Sequence, residues 1–266
     1  MQTIDKIFIF IQKHRYKLIS CLAVAALILF WWAGSELNLF NPVFVPSIGS
    51  VRDAFLQVLR DGYKGHTLLY HIGASMKRLF IAVVLAFFLA ATLGLLCGMN
   101  RTVMAILDPF VEFYRALPPL AYNTMIVLWF GIGDESKIIL LLLSAFPPIF
   151  IQTVFGVQRI PQDRINGARS LGTSPLSLFF KVIFPSALPD ILTGLRTAVG
   201  VAYATLVAAE MVASASGIGW MVLDASKYIM YATVYFGIII MGTIAILIDM
   251  VLKVLIKMAA PWQEWE

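Results

Sequence analysis

Between Arg78 and Arg101 the chain reads LFIAVVLAFFLAATLGLLCGMN, residues 79–100, without a single charged side chain. These 22 residues would form a helix of about 33 Å, which is enough to cross the roughly 30 Å hydrocarbon core of a bilayer. A backbone in lipid must satisfy its hydrogen bonds within its own segment, so a helix is the expected form. The stretch therefore predicts a membrane-spanning helix.

The composition of the whole chain agrees with a lipid environment. Of its 266 residues, 60% are hydrophobic and 13% are charged, whereas soluble domains have about half and a quarter, respectively. Mean hydropathy is +0.86, which excludes both a soluble globular protein and a disordered chain. No stretch is long and polar enough to form a separate soluble domain.

Six charge-poor windows have a length suited to membrane-spanning helices. They lie at about 18–35, 79–100, 120–133, 138–158, 190–213 and 228–250. Pro118 and Pro119 set the start of the third window near Leu120, because proline is tolerated only at the first turn of a helix. The predicted fold is an all-α integral membrane protein, with an N-terminal segment (1–17) and a single membrane domain (18–266).

The distribution of Lys and Arg predicts the orientation of these helices. If the N-terminus is inside, 13 of the 20 Lys and Arg residues fall on the cytoplasmic side and 7 on the outer side. Because cytoplasmic loops carry the excess of basic residues, both termini are predicted to be cytoplasmic. The same bias explains the net charge of +5 without a nucleic-acid partner.

Residue patterns for catalysis are missing from the sequence. The chain has no GxxxxGK[ST] motif for nucleotide phosphates, no HExxH zinc motif and no GxSxG motif. Its three histidines, His14, His66 and His71, are scattered, and Cys21 and Cys97 lie in apolar runs. We therefore expect no enzyme activity, no catalytic residue, no metal site and no cofactor.

The long cytoplasmic loop, residues 159–196, reads RIPQDRINGARSLGTSPLSLFFKVIFPSALPDILTGLR. Pro161 suits the first turn of a helix over about 161–171, and Gly172 suits the left-handed residue that stops it. Thr173 or Ser174 then caps a second short helix that begins with a proline. The loop is therefore predicted to contain two short helices joined by a tight turn.

Two further prolines divide the second half of the loop. Pro185 is predicted to end the second helix, and Pro189 to open the next element. The small side chains in the first half let another backbone approach closely, so we expect the loop to dock a partner. The alternative is an interfacial pair of helices without a partner.

The same loop contains a motif that occurs in one family of membrane proteins. Its first half is the run Asn166-Gly167-Ala168-Arg169-Ser170-Leu171-Gly172, and Pro185 and Pro189 follow. The run resembles the EAA loop of bacterial ABC importer permeases, E-A-A-x-x-x-G followed by I-x-L-P. Asn166 replaces the leading Glu and Gly167 the first Ala. The resemblance implies that these nine residues, within a coupling loop at 159–189, contact an ATPase.

Further motifs extend the resemblance along the chain. Residues 114–121 (YRALPPLA), 129–133 (WFGIG) and 206–210 (LVAAE) are similar to the taurine/alkanesulfonate branch, which also contains nitrate and bicarbonate permeases. The resemblance implies the type I ABC importer permease fold in the bacterial inner membrane. It also implies a homodimer of permeases embedded in lipid, two copies of a separate ATPase subunit, and a periplasmic or lipoprotein solute-binding protein.

The resemblance also bears on function. It implies a permease for a small anionic solute. Taurine or another sulfonate is the preferred solute, and nitrate, bicarbonate or another small solute is the alternative. The alternative from a different class of function is a membrane scaffold or sensor that transports nothing.

Glu210 is an acidic residue inside the fifth predicted span. A carboxylate at this depth is costly unless it faces a cavity, a partner or the interior of the bundle. Gly217 and Gly219 follow on the outer side, where their flexible backbone would suit a gate. Glu210 is therefore either a gate for the solute pathway or a hydrogen-bonded tie between helices.

Overall fold

The computed structural model describes residues 2–37, 39, 41 and 43–263, and most of these residues are helical. Met1 and residues 264–266, which belong to the predicted N-terminal segment and membrane domain, lie outside the described residues. The helices are, in chain order, α1 (Gln2–Glu36), α2 (Ile48–Asp61), α3 (Leu68–Met99), α4 (Arg101–Ala116), α5 (Asn123–Phe130), α6 (Asp134–Gln158), α7 (Gln162–Ser170), α8 (Pro175–Leu178), α9 (Phe184–Ala213), α10 (Ile218–Lys227) and α11 (Tyr231–Ala259).

In the described part of the chain, five helices are long and apolar enough to cross a membrane. They are α1, α3, α6, α9 with the short turns before it, and α11. They contain the predicted windows 18–35, 79–100, 138–158, 190–213 and 228–250, apart from residue 100 of the second window and residues 228–230 of the last. The predicted all-α membrane fold is therefore confirmed.

The central helices α3 and α6 run parallel to each other. Arg78 of α3 contacts Asp134 at the start of α6. Toward the other end, a Cβ on Gly94 would lie 2.7 Å from the Cβ of Thr153. Gly98, four residues further on, packs equally closely on α6. The two glycines form a GxxxG motif, which lets the helix backbones approach each other.

Helix α9 runs antiparallel to both central helices. Near its start, the Cβ of Asp190 lies 2.7 Å from the position of a Cβ on Gly156, close to the end of α6. Near its end, Glu210 contacts Arg78 of α3. The three helices enclose fully buried small side chains, which allow close packing: Ala82, Ala86, Ala90, Ala145, Ala198 and Ala202.

The third predicted span, 120–133, is not a spanning helix. The chain there forms a 3₁₀ turn, Pro119–Ala121, and then α5, which has eight residues. A helix of this length covers only about 12 Å. Pro118 and Pro119 interrupt the helix before it, and Gly131, at φ +79°, ends α5. Because α3 and α6 run parallel, residues 100–133 must return along the bundle, and they do so by the broken path of α4 and α5.

The helix–turn–helix predicted for the loop at 159–196 is present. Helix α7 ends just before Gly172, which adopts φ +75° as expected. Ser174 caps α8, since its Oγ accepts a hydrogen bond from the N–H of Ser177, and Pro175 occupies the first turn. We call residues 159–183 the elbow.

The predicted break at Pro185 is wrong. A π-helical turn, Phe179–Ile183, leads directly into α9, which begins at Phe184. Pro185 therefore lies in the first turn of α9, directly after the residue whose N–H bonds five positions back, from Phe184 to Phe179. Pro189 does not open a new element either, because it lies inside α9.

Candidate functional site

Glu210 lies at the opposite end of the bundle from the elbow and is 1% exposed. Its Oε1 accepts hydrogen bonds from Nη1 of Arg78 and from Oγ of Ser75, both at 2.7 Å. Its Oε2 accepts one from the backbone N–H of Gly219 at 3.0 Å. Burial of a carboxylate is tolerated when it is paired and hydrogen-bonded in this way.

Arg78 connects four parts of the fold although it is only 3% exposed. Besides Glu210, it donates from Nε to Oδ1 of Asp134 at 2.7 Å. It also donates from Nη1 to the carbonyl of Ser216 at 3.0 Å and from Nη2 to the Ser216 hydroxyl at 2.7 Å. The guanidinium thus holds together α3, α6, α9 and the turn between α9 and α10. We call Ser75, Arg78, Asp134, Glu210 and Ser216 the Arg78 cluster.

The predicted pathway glycines lie against this cluster. Gly217 has φ +114°, and a Cβ there would overlap the carboxylate of Glu210. A Cβ on Gly219 would lie 2.6 Å from the carbonyl of Val207. The N–H of Gly217 also donates to Nδ1 of the buried His71 at 3.3 Å. The structure therefore brings Glu210, Gly217 and Gly219 together, in a closed turn tied by hydrogen bonds.

Most partners of Glu210 are not recognisable in the sequence. In the sequence, Arg78 is only one of several basic residues in the first outer loop, and Ser75 and Asp134 belong to no motif. One signal was present, because Arg78 directly precedes the longest charge-free window. A buried acid elsewhere in the membrane domain needs a basic partner. Lys137 and Lys227 directly precede predicted windows on the outer side as well, so the sequence does not single out Arg78.

The elbow presents most of its motif outward. Within α7 no residue is buried. Leu171, at the end of the motif, is 87% exposed, which is unusual for a large apolar side chain. Gly172 is exposed as well, and a Cβ there would meet no atom within 4 Å. The other exposed motif residues are Asn166, Gly167, Arg169 and Ser170.

Ala168 differs from the rest of the motif. It is half-buried and packs against the core formed by the end of α6 and the start of α9. Its carbonyl accepts a hydrogen bond from Oγ1 of Thr173 at 2.6 Å. Ile165, one turn earlier, packs on the same core, because residues three apart share one face of a helix. Ala168 therefore packs partly on its own bundle, and its contact with an ATPase stays a prediction.

Pro185 and Pro189 lie at the same end of the bundle. Together with Arg164 and Trp262 they line a crevice of about 430 Å³. Arg164 also donates from Nη1 to Oγ of Ser186 at 3.1 Å. The elbow is thereby fixed to the first turn of α9, so a force on the elbow reaches the helix that carries Glu210.

Metal-binding geometry is not found among the described residues, where no three His, Cys, Asp or Glu side chains come together. In the same residues, Cys21 is exposed, Cys97 is buried, and both are free.

Comparison with known proteins gives a consistent result. Residues 90–263 match the family described as "Binding-protein-dependent transport system inner membrane component". The taurine transport system permease protein TauC of Escherichia coli (strain K12) is 40% identical over 240 residues, which cover 90% of this chain and 87% of TauC. The nitrate import permease protein NrtB of Leptolyngbya laminosa is 34% identical over 203 residues, 75% of this chain and 73% of NrtB.

A solved structure has the same fold. The MetNI methionine ABC transporter, solved in inward-facing conformations, contains a chain that superposes with a TM-score of 0.61. The match covers 71% of this chain and 94% of that chain, at 19% sequence identity. The similarity supports the type I ABC importer permease fold.

Proposed function

Because the chain belongs to the family of binding-protein-dependent transport system inner membrane components, we propose that it is the permease subunit of an ATP-driven importer for a small organic sulfonate. The observation that carries the choice of solute is the 40% identity to TauC along 90% of the chain. Taurine is therefore the first solute to test. The similarity to a nitrate permease makes nitrate the second.

The assembly we propose contains two copies of this chain and two copies of an ATPase. A binding protein, either periplasmic or a lipoprotein, delivers the solute to the outer side. Both termini and the elbow face the cytoplasm. ATP hydrolysis takes place in the ATPase chain, so this chain needs no catalytic residue or cofactor.

The proposed contact with the ATPase is the exposed side of the elbow. The exposed Leu171 supplies an apolar anchor there, and Arg169 supplies a charge for an acidic residue of the partner. Gly172 gives the turn its left-handed backbone. Pro185 and Pro189 contribute by placing the elbow against the start of α9. Ala168 has a supporting role, since it fixes α7 to the bundle.

The proposed gate is the turn that the Arg78 cluster holds closed. Opening the gate would break the hydrogen bond from the N–H of Gly219 to Glu210. It would also break the hydrogen bond from Arg78 to the carbonyl of Ser216. The ion pair between Arg78 and Glu210 neutralises the carboxylate, so the acid does not repel an anionic solute. In this proposal the cluster is both a tie in the closed state and the part that opens.

Affinity purification of the tagged chain from its native membrane tests the proposal. We expect an ATPase to co-purify, with an activity that rises when the chain is present in lipid. Release of the ATPase by a substitution in the elbow would support the contact. A chain that purifies intact without any ATPase would instead be a membrane scaffold or sensor.

A further inference from the structure

A cavity of about 270 Å³ lies beside the middle of α6. One wall consists of the end of α4 and the turn that follows it, residues 114–122, and the other consists of residues 143–151 of α6. Pro147, in the second wall, is 13 residues from Asp134 and 11 residues from Gln158. It is thus about 20 Å and 17 Å from the two ends of α6, so the cavity lies at half depth in the membrane domain.

Arg115 brings a positive charge to this cavity. Its side chain is 49% exposed and pairs with Glu112 one turn earlier, at 2.6 Å. An arginine at half depth is costly against lipid, so this face borders water or solute rather than acyl chains. An exposed i,i+3 ion pair is weak. The guanidinium is therefore available to an anion that enters the cavity.

Two hydroxyl groups stand beside this charge. The hydroxyls of Tyr114 and Tyr122 are 2.9 Å apart, and both residues line the cavity. Since one hydrogen bond between them uses one O–H, the other O–H is free to donate. An oxyanion in the cavity would therefore find a guanidinium and a hydroxyl donor on the same wall.

The opposite wall contains two residues whose carbonyls lack their regular helical donors. Pro147 and Pro148 have no N–H, so the carbonyls of Leu143 and Ser144 lose their regular helical donors. All four of these residues line the cavity. The hydroxyl of Ser144 donates to the carbonyl of Leu141 at 2.9 Å, so it does not replace the donors that the carbonyls of Leu143 and Ser144 lack. Helix interruptions at membrane depth are tolerated where the freed carbonyls face a cavity, and such carbonyls bind cations.

We propose that this cavity is a solute site inside the membrane domain and that it takes a small zwitterion, with an oxyanion such as sulfonate on Arg115 and an ammonium on the carbonyls of Leu143 and Ser144. The inference rests on the proposed function and makes it more specific. The two walls bind opposite charges, so a solute that carries both is preferred over a simple anion.

Ligand binding to the full-length chain in lipid nanodiscs tests this site without the binding protein or the ATPase. The measurement is saturation-transfer difference NMR with millimolar taurine, repeated with ethanesulfonate, which lacks the ammonium. We expect a taurine signal at least five times that of ethanesulfonate. Arg115→Ala should reduce the taurine signal at least fivefold, and Arg115→Lys should restore part of it.

The matched control is Arg52→Ala. Arg52 is also an exposed arginine paired with a nearby carboxylate, that of Asp53 at 2.9 Å, but it lies on α2, away from the cavity. Its substitution should leave the signal unchanged. If Arg115→Ala does not assemble, Glu112→Gln serves instead, since it frees the guanidinium and should strengthen taurine binding; an unchanged signal would contradict the proposal.

Three results would overturn the site: no taurine signal from the wild-type chain, equal signals for taurine and ethanesulfonate, or a folded Arg115→Ala variant that binds like the wild type. None of them would affect the co-purification of an ATPase. Loss of that co-purification would overturn the permease assignment instead, so the two failures are distinguishable.

Discussion

Arg78 on α3 and Glu210 on α9 form an ion pair of 2.7 Å, with side chains only 4% and 1% exposed. The two residues are 132 positions apart in the sequence. Because Arg78 also binds Asp134 and Ser216, the pair joins the three central helices at the end of the bundle that lies opposite the elbow.

Glu210→Gln is expected to lower the free energy of unfolding by about 1–3 kcal/mol, since a buried guanidinium loses one of its two carboxylates. Arg78→Gln should cost at least as much. The double variant should be less destabilised than the sum of the single ones, because each single variant leaves a buried charge poorly paired. Titration with SDS measures these values, and strict additivity would show that the pair is not coupled.

The same Glu210→Gln variant separates a gate from a tie. If the cluster opens during transport, uptake should change while the dimer of permeases stays assembled, as measured by cross-linking. Normal uptake would exclude a gate, and loss of the dimer would assign Glu210 a purely structural role.

Gly217→Ala is expected to destabilise the chain by more than about 2 kcal/mol. The backbone at φ +114° disfavours any side chain, and the new Cβ would overlap the carboxylate of Glu210. Gly242→Ala in α11 is the control, because a Cβ there meets no atom within 4 Å and alanine favours a helix. Equal stability of the two variants would contradict the tight turn at Gly217.

Gly172→Val should abolish uptake and weaken association with the ATPase, while the chain still inserts into the membrane. The substitution strains the left-handed turn by about 1–2 kcal/mol and so reshapes the elbow. Gly65→Val is a matched control, since Gly65 has a similar φ of +82° and equally open surroundings. It lies at the other end of the bundle and should leave ATPase binding intact. Equal effects of both variants would contradict a specific role of the elbow.

The hydroxyl of Tyr63, which donates to Oδ2 of Asp224 at 2.8 Å, predicts a pH dependence. Burial, and next the hydrogen bond to Asp224, raise the pKa of Tyr63 above its ordinary value. A raised pKa means that the folded state keeps the proton to a higher pH than the unfolded state, in which the pKa of tyrosine is about 10. This contribution to stability is thus complete below pH 10 and declines as the pH rises further.

Tyr63→Phe should therefore lower stability at pH 7 by about 1–2 kcal/mol and reduce the decline above pH 10. Thermal unfolding between pH 7 and pH 11 measures both effects. The control Tyr70→Phe removes a more exposed tyrosine and should keep the wild-type decline. An unchanged decline in Tyr63→Phe would show that other groups cause it.

Cysteine labelling tests the orientation. In a background without Cys21 and Cys97, an impermeant reagent outside sealed cells should label cysteines at positions 64 and 227. It should not reach positions 169 and 262, which lie at the elbow end and are exposed. Labelling of position 169 in sealed cells would contradict a cytoplasmic elbow.

Local rules predicted much of the elbow from the sequence. Gly172 and the Ser174-Pro175 start of α8 follow from propensities that act within one helical turn. The first turn of a helix and the residues after its end both accept proline, so the sequence does not tell which of the two places Pro185 occupies. The orientation of Ala168 depends on contacts with α6 and α9, which its own segment does not encode.

Long-range contacts limited the prediction elsewhere. The partners of Glu210 come from residues far apart in sequence, and no spacing rule connects Arg78 with Asp134. The window at 120–133 has the composition of a span, but two prolines at its start and Gly131 near its end leave only α5 helical. Its position is set by the parallel packing of α3 and α6.

In the proposed function, this chain couples ATP hydrolysis in a partner to the passage of a solute. ATP-driven uptake of labelled taurine into proteoliposomes, containing the chain with its co-purified ATPase and binding protein, tests this most directly. We expect uptake that requires ATP, stops without the binding protein and is lost in Gly172→Val but not in Gly65→Val. Taurine or nitrate accumulation that is the same with and without ATP would contradict it.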